Sequence, residues 1–267
     1  MHVSFRDLHR PGDPFILANA WDAGSARMLA ALGAEAIGTS SAAHAFTLGR
    51  PDMGSVTRQE ALTHAQDIVA AVNIPVSGDF ENGFGDDPDT VADTVRMAAE
   101  VGLAGISIED TTLPSATPYD REHAVERIKA AASAARSLRK DFVLVARADG
   151  VMNGEYDLNE GIARLLDFDS AGADCLYLPM PAHTADLTII CKAIQKPVNA
   201  LAAGRFTDLS RADFAGHGVA RISIGSSLAR VTHKVIHDAA TAMFNDGCFD
   251  PLGQGLPGAA VDQLLIR

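Results

Sequence analysis

The sequence predicts one (β/α)8 barrel domain spanning residues 1–267. Eight short apolar runs recur along the chain, and each is followed by a stretch with helical character. Most runs are continuous rather than alternating, which is typical of parallel strands buried on both faces. Glycine-containing segments such as LGAEA, VGLAG and AGADC end helical stretches before the next run. Repeated strand–helix units indicate a parallel sheet, and eight of them favour a closed barrel over an open sheet.

The predicted strands cover residues 15–20, 34–40, 74–80, 104–110, 142–148, 175–180, 197–202 and 221–226. Between the fourth and fifth strands, one helical face collects the apolar residues Val125, Ile128, Ala132, Ala135 and Leu138. After the eighth strand, residues 226–246 are predicted to form a helix. A barrel needs no further helix. We therefore expect residues 227–267 to form an additional helical extension that packs on a neighbouring subunit.

The composition limits the partners of the protein. A length of 267 residues, 47% of them hydrophobic, is enough for one large core. A net charge of −12 repels phosphate backbones and argues against nucleic acid as a partner. The N-terminus shows no signal-peptide pattern, no apolar run reaches the roughly 20 residues of a membrane span, and the three cysteines are widely spaced. We therefore expect a cytoplasmic protein without membrane contact.

Polar residues follow the predicted strands at their carboxyl ends, where barrels of this kind build their active sites. Asp52 follows the second strand, Asp79 and Glu81 the third, and Glu109 the fourth. Carboxylates from different strands at one mouth repel each other unless a cation lies between them. Carboxylate and water ligands suit Mg²⁺ or Mn²⁺. At the end of the fifth strand, Arg147 offers a planar fork for a substrate carboxylate.

Helix capping is the alternative role for an acid that follows a strand. Asp22, Asp87 and Asp110 fit this interpretation, because acids commonly begin helices. Asp79 differs, since it lies within an apolar run and at least six residues before the next helix. We predict a metal-binding role for Asp79 and for Glu109.

Five segments together resemble the isocitrate lyase/phosphoenolpyruvate mutase superfamily. They are, in order, NAWDAGSARMLAALGAEAIGTSSAA, GDFENGFG, GISIED, ARADG and PVNALA…GVARISIGSSL. The resemblance covers about residues 5–235, and the ordered set is highly specific although each motif alone is not. It implies a (β/α)8 barrel with a helix exchanged between the subunits of a homodimer or homotetramer. It also implies Mg²⁺ or Mn²⁺ that holds a small 2-oxo acid, with no organic cofactor.

The resemblance assigns a metal site. The superfamily motif D-x-[DE]-x-G-[FYH]-G matches the segment that begins at Asp79, whose carboxylate is implied to bind the metal directly. Glu81 is implied to act through water, and Glu109 and Asp52 are the other acids of the site. Such a metal stabilises the negative charge that develops on an enolate oxygen, so that a neighbouring C–C or P–C bond can break.

The resemblance also assigns substrate contacts. Ser41 and the backbone amides of Ala42 and Ala43 are implied to grip a carboxylate, and Arg147 to bind the substrate. We add Asn199, near the end of the seventh strand, as a substrate-binding residue, together with Asp79. The residues expected to carry the chemistry are Arg147, Glu109 and Ser41.

The loop after the fourth strand, TTLPSATPYD, departs from the superfamily. Isocitrate and methylisocitrate lyases carry a Lys-Lys-Cys-Gly-His loop there, whose cysteine acts as the acid, and this loop has no Cys, Lys or His. The phosphonate enzymes use a gating loop with lysine and asparagine, and both are absent here. The chain therefore resembles the Cys-less branch, which includes oxaloacetate decarboxylases. The polar groups left as candidate proton donors are Thr111, Thr112, Ser115 and Tyr119.

Three functions are open at this point. The first is a Mg²⁺-dependent lyase or decarboxylase that cleaves a C–C bond in a small 2-oxo or 2-hydroxy di- or tricarboxylate. The second is a P–C bond enzyme of the phosphonopyruvate hydrolase or phosphoenolpyruvate mutase type. The third is a weakly catalytic protein that binds a 2-oxo acid, since the missing loop cysteine removes a proton donor.

Overall fold

The computed structural model describes residues 4–266, in which eight parallel strands close into a barrel in sequence order. This confirms the predicted barrel. The strands are β1 (Phe15–Asn19), β2 (Ala36–Gly38), β3 (Val76–Asp79), β4 (Gly105–Glu109), β5 (Val143–Arg147), β6 (Cys175–Tyr177), β7 (Val198–Leu201) and β8 (Arg221–Ser223). They are shorter than the predicted runs, because the ends of those runs form loops and helix caps.

Helices fill the connections between the strands. They are α1 (Ala23–Ala31), α2 (Ser41–Thr47), α3 (Arg58–Ala71), α4 (Pro88–Glu100), α5 (Arg121–Ser137), α6 (Gly150–Asn153), α7 (Leu158–Ser170), α8 (Thr184–Ala193), α9 (Arg211–Gly216), α10 (Ser227–Asp246) and α11 (Gly258–Leu265). Asp22 accepts a hydrogen bond from the Ser25 amide at 2.6 Å, and Asp87 accepts one from the Thr90 amide at 2.9 Å. Both acids cap their helices, α1 and α4, as predicted.

The strand register brings site residues side by side. Glu109 of β4 is the partner of Arg147 of β5, which is in turn the partner of Tyr177 of β6. Below this level, apolar side chains fill the barrel interior, with Phe15 and Val143 among them. A larger core separates the strands from the surrounding helices. The acidic residues at the strand ends therefore lie above an interior that is largely apolar.

The C-terminal extension is helical, as predicted. Along α10 and the turn that follows, large apolar side chains stay exposed, including Val235 (63%) and Phe244 (84%). The last helix, α11, packs against α1 of the same chain, and the Arg27 guanidinium donates to the Leu265 carbonyl at 3.4 Å. Exchange of a helix between subunits stays a prediction. In the described part of the chain, no helix combines the length and apolarity needed to span a bilayer.

A short 3-10 turn, Arg6–Leu8, packs on the barrel interior, where Leu8 belongs to the same apolar cluster as Phe15. Phe5 packs with Phe15 in the interior, and His9 lies against both rings, with centroids 5.0 Å away in each case. The His9 Nδ1 donates to the Phe5 carbonyl at 3.0 Å. Burial lowers the pKa of His9 to about 3. The imidazole is therefore neutral in the folded protein at physiological pH.

Titration of His9 should make the fold less stable in acid. Its pKa is about 3 in the folded protein and 6.5 for an unperturbed group, so the unfolded chain binds this proton first. Stability is then complete above pH 6.5 and falls by up to about 1.4 kcal/mol per pH unit below it. Replacing His9 by Phe should flatten the fall in Tm between pH 7.5 and 5, measured by thermal unfolding. The same replacement of the exposed His237 should leave the fall unchanged, and equal slopes in both variants would contradict the assignment.

Candidate functional site

The carboxyl ends of the strands surround a cavity of about 150 Å³. A cavity of roughly this volume holds one benzene molecule, so the ligand that fits inside is small. The polar and charged residues that line the cavity include Asn19, Ser41, Asp52, Ser77, Asp79, Glu81, Ser107, Glu109, Arg147, Asp149, Tyr177, Arg221 and Ser223. The structure thus brings the predicted metal-site acids and Arg147 to one cavity.

Arg147, the last residue of β5, lies at the centre of the acidic cluster. Its Nη1 is 2.9 Å from Asp79 Oδ1 and 3.0 Å from Glu109 Oε1. Its Nε and Nη2 donate to the two oxygens of Asp149, at 3.1 and 2.6 Å. The Tyr177 ring lies 5.2 Å from the guanidinium carbon, within cation–π range. One guanidinium therefore pairs with three carboxyl groups and is held in a fixed orientation.

Asp79, the last residue of β3, is engaged through both carboxylate oxygens. Ser41 donates to Oδ2 through its backbone amide at 3.0 Å and through its hydroxyl at 2.9 Å. Arg147 binds Oδ1, and the Asp79 amide donates to the Thr39 hydroxyl at 2.8 Å. Because Ser41 is the first residue of α2, the positive end of that helix faces the carboxylate. The predicted site residues Ser41, Asp79 and Arg147 are thus in direct contact.

Glu81 enters the cavity from a left-handed backbone conformation, with a φ of 47°. Non-glycine residues rarely adopt this conformation, which costs roughly 1–3 kcal/mol. Two hydrogen bonds hold it: the Gly54 amide donates to Glu81 Oε1 at 2.9 Å, and the Glu109 amide donates to the Glu81 carbonyl at 2.9 Å. Burial raises the pKa of Glu81 to about 7. This carboxyl group therefore exchanges protons near neutral pH.

The other acids are also perturbed by burial. Burial raises the pKa of Glu109 well above its usual value, while the Arg147 guanidinium acts in the opposite direction. Burial likewise raises the pKa of Asp52, on the loop before α3. The Asp79 charge raises both pKa values further. Mutual repulsion among buried acids is the physical reason to expect a cation between them.

The acids are oxygen donors of the kind that Mg²⁺ and Mn²⁺ prefer. Between residues 4 and 266, however, no three Asp, Glu, His or Cys side chains converge closely enough to hold a metal ion together. Mg²⁺ commonly uses one or two carboxylates and keeps several waters. The acids therefore suit an ion that takes one or two carboxylate ligands and completes its shell with water. They do not form a site of four direct carboxylate ligands.

A buried network supports Asp149 from behind. Asp110 accepts hydrogen bonds from the Asp149 amide at 2.8 Å, the Tyr156 hydroxyl at 2.7 Å and Arg164 Nη1 at 3.2 Å. Burial raises the pKa of Asp110 to about 6. The capping role suggested for Asp110 is wrong, because residues 111–120 separate it from α5. Asp110 instead fixes the position of Asp149, whose carboxylate binds the Arg147 guanidinium.

Arg127 of α5 ties together the loops after β3 and β4. It is 1% exposed, and its Nη1 donates to the Glu109 carbonyl at 3.0 Å. Its Nη2 donates to the carbonyls of Asn82 and Gly85, the latter at 3.0 Å. The Tyr119 ring packs on the guanidinium, with its centroid 4.1 Å from the central carbon. Helix α5 thereby fixes the backbone that carries two of the site acids.

Two of the predicted substrate-binding residues are not part of the cavity lining. Asn199 is 1% exposed, donates to the Ser223 hydroxyl at 2.9 Å and accepts from Arg221 Nε at 3.1 Å. The Ala43 amide donates to the Ser40 side chain, which caps α2, at 3.3 Å. The structure therefore leaves the adjacent Ala42 and Ser41 as the only members of the predicted carboxylate grip that line the cavity, within residues 4–266.

The loop after β4 lends the cavity an apolar side chain, Leu113. Absent from the described lining are the candidate proton donors Thr111, Thr112, Ser115 and Tyr119. The hydroxyl oxygens of Thr112 and Ser115 are 2.7 Å apart, and the Tyr119 hydroxyl donates to Asp86 at 2.6 Å. The Thr112 and Ser115 hydroxyls thus bind each other, the Tyr119 hydroxyl binds the loop after β3, and the Thr111 hydroxyl is buried without a partner in the described part of the chain.

Sequence reasoning missed several cavity residues. Asp149 follows Arg147 closely in the ARADG segment, and that spacing could have marked it as a partner. Arg221 is a charged residue inside an apolar run, RISIGS, which is the signal that could have found it. Ser77 and Ser107 face the interior from β3 and β4, and strand alternation alone could not show which face is the interior.

Comparison with known proteins places this site in a family. The family profile described as Phosphoenolpyruvate phosphomutase matches residues 5–244. The chain belongs to the phosphoenolpyruvate mutase/isocitrate lyase superfamily. The membership inferred from the ordered motifs is thus confirmed.

Similar proteins of the superfamily differ in name and activity. The chain is 35% identical to an uncharacterized protein of Mycobacterium tuberculosis, over 84% of its own length and 82% of that protein. It is 30% identical to 2,3-dimethylmalate lyase of Eubacterium barkeri (91% and 86% covered) and 31% identical to an oxaloacetate decarboxylase of Paraburkholderia xenovorans (95% and 84%). A solved structure from Burkholderia cenocepacia superimposes with a TM-score of 0.94 at 44% identity, covering 100% of this chain and 95% of that one.

Replacement of Arg147 by Met should leave its three carboxylate partners without their buried counter-charge. We expect a loss of about 3–5 kcal/mol in the free energy of unfolding, measured by urea denaturation in EDTA. Arg121→Met is the matched control, because it removes partly exposed ion pairs and should cost about 1 kcal/mol or less. A loss at Arg147 no larger than the control would contradict its central position in the charge balance.

Proposed function

We propose that the protein is a Mg²⁺- or Mn²⁺-dependent carbon–carbon lyase or decarboxylase that acts on a small 2-oxo or 2-hydroxy di- or tricarboxylate. The contact of Asp79 with both Ser41 and Arg147 carries this proposal. This contact places the Asp79 carboxylate, which attracts a metal ion, beside Ser41 and Arg147. Both of these residues can donate hydrogen bonds to a substrate carboxylate. The similarity to 2,3-dimethylmalate lyase and to an oxaloacetate decarboxylase supports the same reaction class.

The acids are proposed to hold the metal ion. Asp79 binds it directly, and the acids that act through water are Glu81, Glu109 and Asp52. Held by these residues, such an ion would supply Lewis-acid stabilisation of the negative charge that develops on the substrate oxygen during bond cleavage. The buried position of the acids keeps their interaction with a cation strong, because charges interact more strongly where water is scarce.

Arg147 and Ser41 are proposed to bind and orient the substrate carboxylate, with the Ala42 amide as a further donor. A guanidinium can bind both oxygens of a carboxylate at once, which fixes its plane. Leu113 and Met53 give the cavity an apolar rim. That rim limits the access of water to the charged groups inside.

The loop TTLPSATPYD favours C–C over P–C chemistry. A transferring phosphonyl group needs positive charge beside it, and this loop contains no Lys, Arg or His. A screen in the presence of Mg²⁺ tests the choice, with oxaloacetate, malates, citrate homologues and phosphonopyruvate. Cleavage of a carboxylate substrate is expected. Phosphate release from phosphonopyruvate would favour the second function, and binding without any turnover would favour the third.

Asp79→Asn should abolish metal-dependent turnover of the substrate found in that screen. We expect kcat/KM to fall by more than the roughly 10–100-fold effect of an outer-shell residue, because a direct ligand is lost. Circular dichroism and Tm should show an intact fold. Asp89→Asn, at an exposed position in the first turn of α4, is the control and should retain full activity. Turnover that survives in the Asp79 variant would show that the site assignment is wrong.

We further propose that the protein forms a homodimer or homotetramer through its C-terminal extension. Exposed large apolar side chains concentrate on α10 and the turn after it: Val231, Val235, Ile236, Phe244, Phe249 and Leu252. Soluble proteins rarely expose so many apolar groups on one segment unless another surface covers them. The superfamily resemblance implies the same region as the interface.

The double replacement Val235→Glu and Phe244→Glu should convert the oligomer into monomers, because it places charges in an apolar interface. Size-exclusion chromatography with light scattering measures the result against the chain mass of 28.0 kDa. Leu166→Glu is the control, because Leu166 is an exposed apolar residue on α7 and not on the C-terminal extension. It should leave the mass unchanged. A wild-type mass of one chain would refute the proposed assembly.

A further inference from the structure

The barrel interior below the acidic cluster contains a buried cation. Arg221, the first residue of β8, is 4% exposed and lines the cavity. In the described chain, residues 4–266, no Asp or Glu forms a salt bridge with it, and Asp79 acts on it only through longer-range charge attraction. Buried charges are normally paired, because an unpaired one is strongly destabilising.

A chain of hydrogen bonds fixes the orientation of Arg221. Its Nε donates to Asn199 Oδ1 at 3.1 Å, and Asn199 Nδ2 donates to the Ser223 hydroxyl at 2.9 Å. The Asn199 amide is therefore engaged at both ends. The Arg221 Nη1 is fully buried, and no acceptor within residues 4–266 binds it. The guanidinium is held through Nε, and Nη1 is closed off from solvent, although Arg221 itself lines the cavity.

A second unsatisfied polar group borders the same space. The Ser77 hydroxyl on β3 is buried and has no hydrogen-bond partner among the described residues, and Ser77 lines the cavity. Ser107 lies beside it on β4, with its hydroxyl 3.4 Å from Asp79 Oδ1. Leaving a buried donor unpaired is unfavourable, and here two such donors belong to residues that line one cavity. Neither donor has an acceptor within residues 4–266, and an anionic group would supply one to each.

We propose that Arg221 and Ser77 form an anion subsite at the floor of the cavity that binds a carboxylate group of the ligand. A guanidinium whose Nη1 has no acceptor within residues 4–266 suits a carboxylate oxygen, and a serine hydroxyl adds another donor. The inference rests on the proposed function, because Asp79 and Arg147 are assigned to the 2-oxo acid end. It adds to that function the residues that bind the second carboxylate of the substrate.

Isothermal calorimetry on the Mg²⁺-loaded protein tests the subsite with ligands matched in chain length. The pairs are 2-oxovalerate with 2-oxoglutarate, and 3,3-difluoro-2-oxobutyrate with 3,3-difluorooxaloacetate, so that each pair differs only in the second carboxylate. In at least one pair the dicarboxylate should bind about tenfold more tightly or better, the effect of one charge-assisted hydrogen bond. Oxalate, which has no second arm, reports separately on the metal end.

Arg221→Met should remove the preference for the dicarboxylate while it leaves oxalate binding within about twofold of wild type. Arg139→Met is the matched control, since it removes an exposed guanidinium on the surface, and it should keep the preference. Ser77→Ala should reduce the preference by a smaller factor. If Arg221→Met does not fold, Arg221→Lys replaces it, because it keeps the charge and loses the fork.

The outcomes separate this inference from the proposed function. Failure of oxalate to bind the wild-type protein would overturn the metal and 2-oxo acid assignment. A wild-type protein without preference for either dicarboxylate would overturn the subsite. A preference that survives replacement of Arg221 would overturn it as well.

Discussion

The guanidinium of Arg147 forms ion pairs with three acids at the barrel mouth, and the geometry of the site depends on these contacts. Asp79, Glu109 and Asp149 come from three places in the sequence, and all three contact this one group. Burial raises the pKa values of Glu109 and Asp149, and the Arg147 charge acts against that rise. A metal ion or a substrate carboxylate that enters the site must compete with these existing ion pairs.

Much of the site could be predicted because (β/α)8 barrels place their active-site residues at the carboxyl ends of the strands. Apolar runs give the strands, and the carboxyl ends of parallel strands meet at one rim. Asp79, Glu109 and Arg147 each stand at the last position of their strand, so the position in the run was sufficient to bring them together. Capping by Asp22 and Asp87 was equally local, since it involves only the next few amides.

The other site residues could not be predicted, because their positions depend on the three-dimensional arrangement of strands and helices. The seventh strand ends at Leu201, so Asn199 lies two residues, roughly 6–7 Å, deeper than a residue at the rim. Asp110 lies next to Glu109 and so points to the other side of the sheet, where Tyr156 and Arg164 meet it. The depth of a side chain in the barrel depends on strand stagger, and its partners come from distant helices. Neither can be read from spacing along one chain segment.

The position of Arg127 has a consequence for how such a site can change during evolution. Its guanidinium links the carbonyls of Asn82, Gly85 and Glu109, so two loops that appear independent in the sequence share one anchor on α5. A substitution on the buried face of that helix can shift both loops while every residue in the cavity stays the same. Conversely, a loop transplanted from a relative would need the matching helix to keep its shape. A change of reaction in this barrel therefore requires compatible residues both in the rim loops and on α5, although α5 does not contact the cavity.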